Sequence, residues 1–177
     1  MLDIGMKAPD FTLKDKDGNI LKDEAGNPHE YLYVVNHDGN IVVTGEAIRA
    51  GEAAQVELVG VKVVSGSESA SGDNCVFVPK DASDVNVVVG QGTELKSYGT
   101  AAIQSNGHTQ GLELTVAGKV ESVGDVAMYL PQVETCTIAG TAVISGATGI
   151  ELRAGDLVVK DGAKISEADT EDWDSYV

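Results

Sequence analysis

Cysteine, histidine and arginine are the scarce reactive residues of this 177-residue chain, with two Cys and three His among them. A nucleophilic or redox cysteine needs a thiol whose pKa is lowered by a helix N-terminus or a nearby cation. Cys75 and Cys136 instead precede apolar strands, in NCVFV and TCTIAG, and are expected as free buried thiols. His29, His37 and His108 are scattered across turn sequences, and no two share a metal spacing such as i, i+4 on a helix. They are expected at the surface, and no metal or cofactor is expected. The run DKDGN, Asp15 to Asn19, resembles the start of a calcium loop, but the twelfth position counted from Asp15 is Gly26 rather than the closing glutamate. A simple β-turn is the reading there. Arg153 follows Leu152 and so points out of its strand, where Asp125, Glu151 and Asp156 on adjacent repeats could meet it. A cleft of acids with a basic residue is what glycan-cleaving chemistry uses. A solvated arginine paired with an acid, worth at most about 1 kcal/mol, accounts for the same residues. The chain is therefore expected to be no enzyme.

The elements that must carry these residues are short strands arranged in a repeat. VVVGQGTELKSYGTAAIQSNG begins at Val87, LTVAGKVESVGDVAMYLPQ at Leu114, CTIAGTAVISGATGIELRAG at Cys136 and LVVKDGAKI at Leu157. Each copy opens on β-branched residues, passes a glycine and returns to an apolar residue. Strand-only repeats of 20 to 30 residues are the mark of a β-solenoid, in which each repeat is one coil that must stack on a neighbour. Matching the leading apolar residue gives Val59, Val89, Val116, Ile138 and Val159, spaced 30, 27, 22 and 21 residues. The coils are thus expected to shorten toward the C-terminus, with the longer loops early and gathered on one face. Gly90, Gly92, Gly118, Gly140, Gly146, Gly149, Gly155 and Gly162 are read as corner residues. One short helical turn is conceivable around Glu46 to Ala54, interrupted by Gly51.

Composition agrees. The chain is 42% apolar with only 5% aromatic residues, which suits stacked strands with tight corners. Its net charge of −16, with no clustered Lys or Arg, argues against nucleic acid. No 18-residue apolar run offers a membrane span, and the opening MLDIGMKAPDF has neither a basic n-region nor an apolar h-region. Residues 1–45 read as turns and hairpins, with a strand at Tyr31 to Val35, a turn at His37 to Asn40 and a strand at Ile41 to Thr44. The expected architecture is all-β: an N-terminal hairpin and docking region over 1–45, a short right-handed parallel β-helix of four to five coils over 46–165, and an acidic tail over 166–177. Partner contacts are expected at Phe11, Tyr31 and Tyr33 in the docking region and at Trp173 and Tyr176 in the tail.

Two stretches resemble known families. AAIQSNG, VAMYLPQ, ISGATGIELRAG and LVVKDGAKI, within about 92–165, resemble the right-handed parallel β-helix repeats of surface and adhesin-like proteins of gut Firmicutes. Related β-helices also form phage fibres and spikes. The resemblance implies a stalk or display surface. IGMKAPDFTLKDKDGN, residues 4–19, looks like the opening of a peroxiredoxin. That family then places its cysteine at a helix start, and neither Cys75 nor Cys136 stands in such a segment, so its catalytic residues have no positions here.

The function expected from these readings is structural and adhesive: a phage virion accessory protein, either capsid decoration or head fibre. Residues 1–45 would dock on a virion or cell-surface protein and the solenoid would project. A homotrimer and a surface glycan are conceivable partners by analogy with other phage β-helices. A fragment of a gut bacterial surface adhesin is the alternative.

Overall fold

β-Branched residues alternate with polar ones along this chain, and alternation with a period of two puts one set of side chains on the inner face of a strand. The computed structural model describes residues 40–167 and turns that pattern into five stacked coils and the first strand of a sixth. The first coil holds β1 (Asn40–Val43), β2 (Ile48–Arg49) and β3 (Gln55–Leu58), and the second β4 (Lys62–Ser65), β5 (Val76–Phe77) and β6 (Asn86–Val89). The third holds β7 (Glu94–Tyr98), β8 (Ile103–Gln104) and β9 (Glu113–Val116). The fourth holds β10 (Lys119–Val123), β11 (Val126–Leu130) and β12 (Thr135–Ile138). The fifth holds β13 (Val143–Gly146), β14 (Thr148–Leu152) and β15 (Asp156–Val159), and β16 (Lys164–Glu167) follows. The strands fall into three sheets, β1-β4-β7-β10-β13-β16, β2-β5-β8-β11-β14 and β3-β6-β9-β12-β15, in which every pairing is parallel. Taking every third strand in order is what a β-solenoid does.

The core is a set of apolar columns running along the stack. Val87, Leu114, Cys136 and Leu157 share one column of the third sheet, so the four repeat copies begin in register. Val89, Val116, Ile138 and Val159 form a second, and Val63, Leu95, Val120 and Ile144 one in the first sheet. In coils two to four these residues are at most 2% exposed. Burying such a side chain stabilises by roughly 1.5 to 3 kcal/mol.

Polar groups enter this core in a second kind of column. Ser65, Ser97 and Ser122 stack in register in the first sheet and are almost fully buried. Their hydroxyls donate to the carbonyls of Gly45, Asp73 and Thr100 at 2.7, 2.8 and 2.7 Å, each acceptor lying in the coil before. The next member is Gly146, where an added Cβ would collide with the backbone of Asp125 and Ala127. Among the described residues, no buried side-chain nitrogen or oxygen lacks a hydrogen-bond partner.

Several expectations are corrected. Leu58, not Val59, occupies the column with Val89, and Val59 is 61% exposed. A shift of one residue turns a strand side chain to the other face, and two adjacent apolar residues left that choice open. The true spacings along this column are therefore 31, 27, 22 and 21 residues. Along the first sheet, Asn40, Lys62, Glu94, Lys119, Val143 and Lys164 are spaced 22, 32, 25, 24 and 21. Shortening thus starts at the second coil, and the first is only one residue longer than the last. Stacking begins at Asn40 rather than after residue 45, because β1 already pairs with β4. Residues 46–54 form β2 and a turn, and no helix is found among the described residues. Gly149 lies inside β14 rather than at a corner. Gly155 is a corner where φ is +108° and a Cβ would strike the backbone of Val133.

Candidate functional site

Both thiols are taken up by the fold. Cys75 precedes β5 with its Sγ 3.6 Å from the Val63 carbonyl, and Cys136 fills the column between Leu114 and Leu157. Both are free and fully buried. Burial pushes each thiol up to about 12, so neither forms a thiolate at neutral pH. They stand two coils apart, about 9.6 Å along the axis at ~4.8 Å per coil. A disulfide tolerates a Cα separation of only about 7 Å.

Arg153 is held as an ion pair. Its guanidinium bonds Glu151 Oε1 at 2.9 and 3.0 Å and lies 5.0 Å from the centre of the Tyr129 ring. Asp125 and Asp156, the other expected neighbours, go elsewhere. Asp125 accepts from the Val126 amide at 2.7 Å, and Asp156 pairs with Thr135 in the third sheet. A matching arrangement, unseen in the sequence, stands at the other end of the same sheet. Arg49 donates to both oxygens of Glu46 at 2.9 Å and lies 4.9 Å from the centre of the Phe77 ring. Arg49, Phe77, Gln104, Tyr129 and Glu151 form one outward column. The arginines cover ring faces within that column, an exposed cation–π contact worth about 0.5 to 1 kcal/mol.

The strongest candidate for contact with another molecule is a cleft of about 690 Å³ at the corners between the second and third sheets. These corners span 78–85 and 105–112 in coils two and three but only 131–134 and 153–155 further on. The extra residues leave a recess bordered by Asp81, Asp84, His108, Gln110, Gln132 and Glu134. Its walls are tied across coils. Ser83 gives its amide and hydroxyl to the Glu52 carboxylate at 3.0 and 2.7 Å, and Gln110 bridges Ser83 in parallel. Thr109 closes a turn onto the Asn106 carbonyl at 2.7 Å, and Ser105 reaches the Gln132 carbonyl at 2.9 Å. Ala53, Asp81 and Asp84 adopt positive φ of 53°, 63° and 54°, all at this corner. Asp tolerates that conformation better than Ala. Carboxylates, amides and hydroxyls around an open recess make it a hydrogen-bonding surface of acidic character.

Of the three histidines, His108 lies in this cleft, while His29 and His37 lie outside the described residues. The same is true of DKDGN, the peroxiredoxin-like segment and all five expected partner residues: Phe11, Tyr31, Tyr33, Trp173 and Tyr176. Among the described residues, no group of three or more His, Cys, Asp or Glu side chains is placed to hold a metal ion, and no helix is long and apolar enough to cross a membrane. The chain matches no protein-family model, no curated protein and no solved structure.

Proposed function

We propose that this chain is a non-enzymatic structural and adhesive scaffold, a virion accessory protein of the capsid-decoration or head-fibre kind. Five stacked coils form one continuous column, and this observation carries the reading. The buried thiols and the ion-paired, ring-stacked arginines serve the stack itself. In this reading the residues before β1 dock and the solenoid projects, with the corner cleft turned to the surroundings. The acidic surface keeps a crowded particle soluble. The resemblance of about 92–165 to gut Firmicutes adhesin-like repeats favours a second setting, a fragment of a bacterial surface adhesin. That stretch covers most of coil three and all of coils four and five.

The test is co-sedimentation of the purified chain with virions and, separately, with cell walls from the same source. Recovery with virions, lost on deleting residues 1–39, is the expected result. Recovery with cell walls alone transfers the function to the adhesin setting. Turnover on a polysaccharide panel that disappears in Arg153→Ala would overturn the non-enzymatic reading.

A further inference from the structure

The outward face of the first sheet runs against the charge of the rest of the chain. Two columns face out there: the one from Asn40 to Lys164 and, beside it, Val42, Val64, Lys96, Glu121, Ser145 and Ser166. They hold four lysines against two glutamates, whereas the other described residues hold four cations against fourteen carboxylates. Of the four large apolar side chains exposed before β15, three stand on this face: Val42, Val123 and Val143.

The pattern inverts at the boundary between β7 and β10. Glu94, Lys96 and Tyr98 lie in register with Lys119, Glu121 and Val123, so each charge has its opposite beside it and the ring has an apolar neighbour. We propose that two copies of this chain pack their first sheets face to face, with stacks antiparallel, about a two-fold axis running along the strands between β7 and β10. Such an interface is isologous, so every contact occurs twice. The register then fixes what meets what. Glu94 meets Lys119 of the second copy, Lys96 meets its Glu121, and Tyr98 meets its Val123. One coil further out Lys62 meets Val143 and Val64 meets Ser145. At the ends Asn40 meets Lys164 and Val42 meets Ser166. No like charges oppose each other in this arrangement, a juxtaposition that would destabilise it. An axis along the stack over Lys96 would instead set Lys96 on Lys96 and Glu121 on Glu121. Within one copy Lys96 already reaches Glu121 at 2.7 Å. The facing pairs therefore close a ring of four charges across the axis, and networks contribute more than isolated surface pairs.

The charge of −16 on each copy opposes association, and it does so least where cations outnumber acids. Six strands of up to five residues make a face of about 29 by 16 Å. That is below the roughly 800 Å² per partner of a standard interface, so the dimer is weak and reversible.

In sedimentation at near-physiological salt, the mass of the full chain is expected to rise from one chain toward two through the micromolar range. Lys96→Glu sets two acids against each other across the axis, and Glu121→Lys sets two lysines. Each variant alone is expected to stay monomeric where the parent chain pairs. Mixed in equal amounts, the two are expected to restore the dimer, because each charge then faces its opposite. The broken pair within each chain stays broken in the mixture, so only contact between chains accounts for the rescue. Where either variant loses β-type circular dichroism, Tyr98→Ser is measured in its place, with association expected to weaken several-fold. The proposal is overturned by a full chain that stays monomeric throughout or forms trimers. It is equally overturned by single variants that still pair, by a mixture that stays monomeric, or by unchanged association in Tyr98→Ser.

Discussion

At the scale of single residues, the two thiols are placed where they cannot react. The two thiols have an ordinary value of 9.0 and reach about 12 in the fold. Their contribution to stability is full below pH 9 and is lost as pH rises from 9 toward 12, because only the unfolded chain sheds the proton there. Native protein is expected to be inert to a thiol-specific disulfide reagent at pH 8 and to react at two sites once unfolded in urea. Cys136→Val is expected to flatten the alkaline loss of stability, read from the urea midpoint against pH. Glu121 shows the opposite sign. Burial alone would raise its carboxyl, yet hydrogen bonds from Lys119 at 2.6 Å and Lys96 at 2.7 Å outweigh this and hold it below the usual range. Its contribution is present at neutral pH and lost as pH falls through the folded value. The bond to Glu121 raises Lys96 in turn, so that share is lost only in strong alkali. Glu121→Gln is expected to cost no more than about 1 kcal/mol at pH 7 and to leave a shallower acid limb in the same titration.

At the scale of elements, the strand columns set the cost of substitution. Ile138→Ala is expected to cost about 2 to 5 kcal/mol, because coils above and below prevent collapse around the cavity. Val59→Thr is expected to stay within about 0.5 kcal/mol, while Leu58→Ala, one residue away, exceeds it. Thermal or urea unfolding of the three variants checks the register directly. Much of this layer was legible in the sequence. Val87, Leu114, Cys136 and Leu157 could be aligned because the later coils are nearly equal in length and have one corner glycine after the third-sheet strand. The Leu58–Val59 choice was not legible, since either residue satisfies an apolar position. The serine column was hidden for a different reason. Serine reads as a surface residue until the carbonyl it meets, 20 to 24 residues earlier, is known. The cleft was half legible: the long spacings announced extra residues, but not that part of them would gather at 78–85 and 105–112.

At the scale of the whole molecule, a column of coils touching only their neighbours opens from its ends. Amide exchange is expected to be slowest in β7 to β12 and fastest in β16, with the first coil between them, measured by mass spectrometry on peptic fragments. Such a gradient distinguishes a solenoid from a sandwich, whose sheets exchange as one body. The serine column adds a direction to this symmetry. Ser65 meets Gly45, Ser97 meets Asp73 and Ser122 meets Thr100, always backward along the chain. A ribosome delivers Gly45 before Ser65 and Asp73 before Ser97, so every hydroxyl in this column emerges after its acceptor. Built in the order of synthesis, the column never holds a buried serine waiting for a partner not yet made. Assembled from the other end, it would do so at every coil.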